Sequence, residues 1–476
     1  MARRLAALVS LVAAQAAVAQ TVDQLAPEVR RYVSVDAPVV ALSHVQLVDG
    51  TGRAPKPDHT VVLERGRITW VGPTAAAKLP AGARVMDLAG HTVIPGLIGL
   101  HNHTFYYTNS PRAVQSNFTA PRLYLGAGVT TIRTTGSASP YAELNLKANI
   151  ERGEIPGPRI EVTGPYLITS GPDMRLDLLG MHELSNTEQA RKVVRYWAEE
   201  GATWLKVYTQ LTREALGAIT DEAHKHGLKV TGHLCSVGYR EAVALGIDGL
   251  EHGLLANSEY DPNRKPDQCS ADFRRIFTEL DVQTDPRVEA TRRAMLEKGV
   301  ALTSTLAVYE AMTPGRPAAD PRLWDLLSPD ARDEEQRRQA GVRAVTDSPM
   351  PSALAKSMEF EVAFFRAGGV LAAGVDPAWS TPAGIGDQRN YLLLVEAGLT
   401  PAEAIQVMSL NGARVLGRAD QLGSVEVGKV ADLVVIQGDP VATPAAIRDV
   451  TVVFRDGIGY DSAKLFRDAK GLVGVR

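Results

Sequence analysis

The chain has 476 residues, 45% hydrophobic and 22% charged, a composition that allows a sizeable buried core and excludes disordered, collagen-like and small disulfide-scaffold classes. Its 51 basic residues nearly balance 54 acidic ones, for a formal charge of -3, so nothing marks it for nucleic acid or an anionic membrane surface. A small-molecule or peptide substrate is the expected partner, and a homo-oligomer is an open expectation.

At the start, Arg3 and Arg4 precede an apolar run over 5–18 that ends in Ala17-Val18-Ala19. This reads as a signal peptide over 1–19, cut near Ala19, and predicts a periplasmic or secreted protein. The run is too short and Ala-rich to span a bilayer, and no later stretch looks transmembrane. Export gives Cys235 and Cys269 an oxidising compartment in which one intrachain disulfide can form.

From Val39 the pattern is β, with short apolar runs separated by turn signals such as Asp49-Gly50 and Arg65-Gly66. A second β-rich piece closes the chain around Leu433-Val434-Val435-Ile436 and Val450-Thr451-Val452-Val453. Neither piece buries enough alone, so residues 20–93 and 418–476 are expected to meet in one small β-sandwich. Between them, over 94–417, strand-like runs at 95–100, 129–134, 159–164, 203–208, 228–233, 249–252, 300–306 and 369–375 alternate with amphipathic helical stretches. That order is the α/β signature of a TIM-like (β/α)8 barrel. The longest insertion, roughly 307–366, follows the seventh run and would emerge beside the mouth of the barrel.

The chemistry gathers at the ends of those runs. His101 and His103 are two apart at the end of the first, so both imidazoles share one face and can hold one divalent metal. His233 ends the fifth, His252 the sixth and Asp376 the eighth. Each alone has an ordinary structural explanation, but five such residues at one rim do not. Lys206, inside Thr203-Trp204-Leu205-Lys206-Val207-Tyr208, would be a costly buried cation unless it is paired or chemically neutralised. Tyr208, Tyr239, Tyr309 and Trp379 follow strand ends and are candidate substrate contacts, with rim packing as the alternative role.

The Pro95-Gly96-Leu97-Ile98-X-X-His101-X-His103 start, the Lys of the fourth run, Glu251-His252-Gly253, Asp376 and the segment Leu422-Gly423-Ser424 through Val435 resemble the amidohydrolase superfamily of metal-dependent hydrolases. The resemblance runs from about Val39 onward and is nearest to the imidazolonepropionase-like, Xaa-Pro dipeptidase and ochratoxinase-like branch. It implies a barrel carrying a composite β-sandwich, and two divalent metal ions, zinc by default. His101, His103 and Asp376 would hold one ion, His233 and His252 the other, with a carbamate on Lys206 bridging them. It further implies hydrolysis of an amide bond in N-acyl or aryl-amide amino acids or dipeptides by a metal-bridging hydroxide, with Asp376 moving the proton. A lactonase, esterase or cyclic-amide hydrolase on the same centre is the alternative. A mononuclear deaminase or a non-catalytic binding protein ranks lower, because the one does not need Lys206 and the other typically loses ligands.

Overall fold

The computed structural model describes residues 20–107, 113–171, 180–270, 273–316 and 320–475. The expected signal segment, 1–19, lies outside the described residues. Both chain ends contribute to one nine-stranded mixed sheet. Its central join is antiparallel, His91–Pro95 against Leu433–Gln437, with Val93 opposite Val435 and Pro95 opposite Leu433. Alternate residues of these strands, including Val40, Leu42, Val61, Leu63, Val93, Leu433 and Val435, fill a separate apolar cluster on one face. The two segments expected to meet, 20–93 and 418–476, thus pair within one sheet.

His91–Pro95 hands the chain directly to the parallel strands of a TIM-barrel-like α/β domain. These are β1 (Leu97–Asn102), β2 (Val129–Thr134), β3 in two segments (Arg159–Glu161 and Thr163–Thr169), β4 (Trp204–Val207), β5 (Lys229–Gly232), β6 (Gly249–Glu251), β7 (Ala301–Ser304) and β8 (Leu371–Ala373). β1, β2 and the first segment of β3 pair in parallel, and the second segment begins a parallel run through β8. The chain beyond β8 returns to β1, where the amides of Val375 and Asp376 both donate to the carbonyl of His101, at 3.1 and 2.7 Å. Gly374 permits that approach, because a Cβ there would fall on the His101 backbone.

The helices follow ordinary sequence logic. Thr212 caps Arg213–Lys225 by accepting from the Ala215 amide, and the helix buries Ala215, Leu216, Ile219 and Ala223 against the barrel. Such a cap contributes about 1 kcal/mol. One feature departs from the expected alternation. A short strand, His182–Leu184, pairs in parallel with the end of β3, Leu167 opposite His182, on the side where β2 would otherwise continue. The segment after β7 is helical in its described parts: Leu306–Ala311, Arg322–Leu326, Pro329–Ala344 and Met350–Arg366.

Candidate metal centre and active site

Strand periodicity stacks side chains in layers inside the barrel. Trp204 and Lys206 lie two apart on β4, and Thr231 and His233 stand in the same relation on β5 and just beyond it. Near the bottom, the Arg133 guanidinium lies 4.3 Å over the Trp204 ring and donates to Glu251 at 2.6 Å. Glu251 also accepts from Thr231 and, at 2.8 Å, pairs with Nδ1 of His101. Burial pushes the Glu251 carboxyl up, but Arg133 and then Lys206 outweigh it, so it stays below its ordinary range and is ionised.

Above this layer, Nε2 of His101 faces Asp376 Oδ1 at 3.7 Å, and Nε2 of His103 lies 3.3 Å from the same oxygen. His252 points its Nε2 at Asp376 Oδ2 from 4.0 Å, while its Nδ1 is held by Thr305 Oγ1 at 2.7 Å. One ligand atom each from His101, His252 and Asp376 lies within 4.8 Å of the others. The His252 ring is 4.5 Å from that of His101 and 4.3 Å from that of His233, so it lies between these two histidines, one from each ligand group expected from sequence.

Burial, and then neighbouring positive charge, holds the imidazoles of His101, His233 and His252 well below the usual histidine range. They are neutral near pH 7, as ligands must be. Lys206 is fully buried, and its Nζ has no hydrogen-bond partner among the described residues. Burial pushes its ammonium down to about 8. Asp376 would be raised by burial, but His101 and His103 reverse this and leave it well below the usual carboxylate range. Both His252 and Asp376 adopt left-handed backbone, with φ of 73° and 50°. Non-glycine residues hold that conformation at a cost of about 1–3 kcal/mol, and sites of this kind are where it is found.

The donors fit a divalent metal. Two buried atoms in this layer, His252 Nε2 and Lys206 Nζ, have no hydrogen-bond partner among the described residues. For His101 and His252, one ring nitrogen is fixed by a hydrogen bond and the other is turned toward Asp376, the arrangement by which proteins orient metal-binding histidines.

An amidohydrolase sequence profile matches residues 92–458. The chain belongs to the amidohydrolase family. Members of this family are generally metal-dependent, and this chain is a hydrolase of the family with a His/Asp cluster suited to a metal. It is 26% identical over 400 residues to imidazolonepropionase of Pseudomonas putida strain GB-1, covering 80% of this chain and 88% of that protein. A Xaa-Pro dipeptidase crystallised with methionine in its active site superposes with a TM-score of 0.66 at 20% identity, covering 89% of this chain and all of the other. Aspergillus niger ochratoxinase does so with a TM-score of 0.66 at 18% identity, over 92% of this chain and all of its own. At these identities the two structures show a shared fold.

Within the amidohydrolase site, the six ligand candidates stand at one end of the barrel, but the aromatic candidates divide. Tyr208 lines the cavity beside Asp376, 4.7 Å from the His233 ring. Tyr309 lies outside that lining and backs His252 edge-on at 5.5 Å. Two expectations need correction. Tyr239 is fully buried, and its hydroxyl donates to the carbonyls of Glu251 and Gly253 at 2.9 Å each, so it braces the His252 turn and does not meet substrate. Trp379 packs edge-on against Tyr106 at 5.0 Å, because the chain after Asp376 folds back through an Ala378–Thr381 bridge and carries the indole into the core. Cys235 and Cys269 are joined in a disulfide, Cα atoms 4.8 Å apart. It ties the loop that ion-pairs Asp267 with Arg213 to the segment beyond His233.

Several contributors were not read from the sequence. Glu251, Arg133 and Thr305 orient the histidines. Asn102 accepts from the Val375 amide at 3.1 Å and donates to Asp387 at 3.0 Å, fixing the exit of β8 that carries Asp376.

Proposed function

We propose that the chain is an exported hydrolase that uses two divalent metal ions, zinc by default, to cleave an amide bond, with N-acyl or aryl-amide amino acids and dipeptides as favoured substrates. The observation that supports this reading is the buried set around Asp376: Lys206 Nζ and His252 Nε2 have no hydrogen-bond partner among the described residues, and His101 and His103 turn their Nε2 atoms to the same carboxylate. His101, His103 and Asp376 would hold one ion, and His233 and His252 the other. Lys206 would serve both as a carbamate: its neutral amine nitrogen adds to the carbon of carbon dioxide, a proton leaves, and a buried cation becomes an anion with two oxygens. When bound, the ions polarise the scissile carbonyl and lower the pKa of a water molecule toward neutrality.

The protein's own groups do the rest. Glu251 and Thr305 hold the His101 and His252 rings in orientation through their other nitrogens. Asp376 takes the proton of the attacking water on a carboxylate oxygen and passes it to the leaving nitrogen. Export is supported by the amino-terminal pattern and by the Cys235–Cys269 disulfide. Among the described residues, no helix is long and apolar enough to cross a membrane.

The second reading on the same centre is a lactonase, esterase or cyclic-amide hydrolase. Turnover of metal-loaded protein on matched N-acyl amino acids, dipeptides, lactones and aryl esters decides between them. Amide hydrolysis as the fastest reaction is expected, and ester or lactone cleavage without amide cleavage would replace this reading with the second. Intact mass of exported protein should begin after Ala19, and a mass that includes Met1 would reject the signal peptide.

A further inference from the structure

The segment after β7 builds a second cavity on the flank of the barrel. On Pro329–Ala344, Arg338, Gln339, Val342 and Arg343 recur at the helical spacing of three and four, so they share one side. Ala307, Glu310 and Ala311 do the same on Leu306–Ala311, as do Ile385 and Arg389 on the helix Ile385–Glu396 that follows β8. These three faces, with Thr381 and Arg448, line a cavity of about 390 Å³. No described residue lines both this cavity and the one beside Asp376.

Its charges do not balance. Glu310 is shared by Arg316 at 2.7 Å and by Arg389, whose Nε donates to it at 2.6 Å. Asp320 is shared by Arg322 at 2.9 Å and Arg448 at 3.2 Å. Farther back, Glu396 pairs with Arg316 at 2.8 Å and Glu335 with Arg338 at 2.7 Å. Five guanidiniums thus divide four carboxylates, and Arg343, in the lining, joins no ion pair among the described residues. Pro317, Ala318 and Ala319, outside the described residues, carry no charge. Two polar groups of the lining are also open. The hydroxyl of Thr381, a residue only 5% exposed, and the buried Nε of Arg448 have no hydrogen-bond partner among the described residues.

We propose that this cavity binds an organic anion, a carboxylate carried on an apolar body of one or two rings. The proposal goes beyond the amide-hydrolase reading and does not rest on it. Guanidiniums in excess of their counter-ions gain most from a carboxylate, because its two oxygens accept parallel hydrogen bonds from one planar fork. The Thr381 hydroxyl can donate one more. An inorganic anion would answer the charge but leave the apolar wall of Ala307, Ala311, Val342 and Ile385 facing water. A neutral ring would cover that wall and leave the guanidiniums as they are. The volume admits both parts of one ligand, since sites for small molecules begin at about 300 Å³ and a benzene ring fills about 150 Å³.

Calorimetric titration of the full-length protein with 4-iodobenzoate, 4-iodobenzyl alcohol and inorganic phosphate tests this. The acid should bind at least about 10-fold more tightly than the alcohol, which lacks the charge, and than phosphate, which lacks the ring. Arg343→Gln should weaken binding of the acid by about 10-fold, and Ala311→Phe should abolish it by filling the space. Should Ala311→Phe fail to fold, Val342→Phe fills the same cavity from another helix. In crystals soaked with the acid, the anomalous signal of iodine should lie between Ala311 and Ile385. Absence of binding, an alcohol or phosphate that binds as well as the acid, unchanged affinity in either variant, or iodine only in the cavity beside Asp376 would each overturn the proposal.

Discussion

Two layers of this barrel are buried to the same degree and treated in opposite ways. In the lower one, Glu251 accepts from Arg133, Thr231 and His101, and Arg133 also donates to the carbonyl of Leu100 while stacking on Trp204. In the upper one, Lys206 Nζ and His252 Nε2 have no hydrogen-bond partner among the described residues. A protein that satisfies one buried polar layer fully and leaves the next one open is not packed carelessly. The cost of partnerless buried nitrogen, about 1–3 kcal/mol per group, is consistent with a layer shaped to receive something the chain does not supply.

Changes in the two layers should therefore fail differently. In the upper layer, Asp376→Asn keeps a side chain that tolerates left-handed backbone but cannot accept the proton, so kcat should fall by roughly 10²–10⁴ while the melting temperature barely moves. Steady-state kinetics beside thermal melts reads both. In the lower layer, Glu251→Gln leaves the Arg133 charge buried without its counter-ion and should destabilise the protein by about 3–5 kcal/mol in denaturant unfolding. It should also weaken metal binding by about 10–100-fold through a misaligned His101.

Lys206 sharpens the contrast through pH. Its ammonium is held down to about 8 by burial against an ordinary 10.5, so the folded state releases this proton before the unfolded chain does. The destabilisation is fully present below pH 8 and is relieved as pH rises from 8 to 10.5, by about 3 kcal/mol. Metal-free wild type should gain that stability relative to Lys206→Met over that window. A constant difference would mean that the amine is paired in solution. Other buried carboxyls, such as Glu143 and Glu361, are raised from 4.5 to about 8, so their contribution falls as pH rises from 4.5 to 8, below this window, and the comparison with the variant removes what remains of it.

How much of this was legible in the sequence follows from the physics of position. Strand-end histidines and an aspartate on runs of apolar residues declare themselves, because period two and strand polarity fix where they point. The same argument that singled out Lys206, a charge inside a barrel strand, applies equally to Arg133 in Val129–Thr134, and would have led to its partner Glu251. Tyr239 and Trp379 were not legible, because their direction depends on a helix start and on a chain reversal after Asp376 that no local pattern announces. The extra strand His182–Leu184 is similarly a matter of tertiary pairing, with three residues too few to carry a periodic signal.

The central claim is that the open layer is a two-metal centre bridged through Lys206. Equilibrium metal analysis of metal-loaded full-length protein beside Lys206→Ala tests it most directly. The account predicts close to two divalent ions per chain in the wild type, with metal content and turnover lost together in the variant. Full occupancy with near-normal turnover in Lys206→Ala would contradict it.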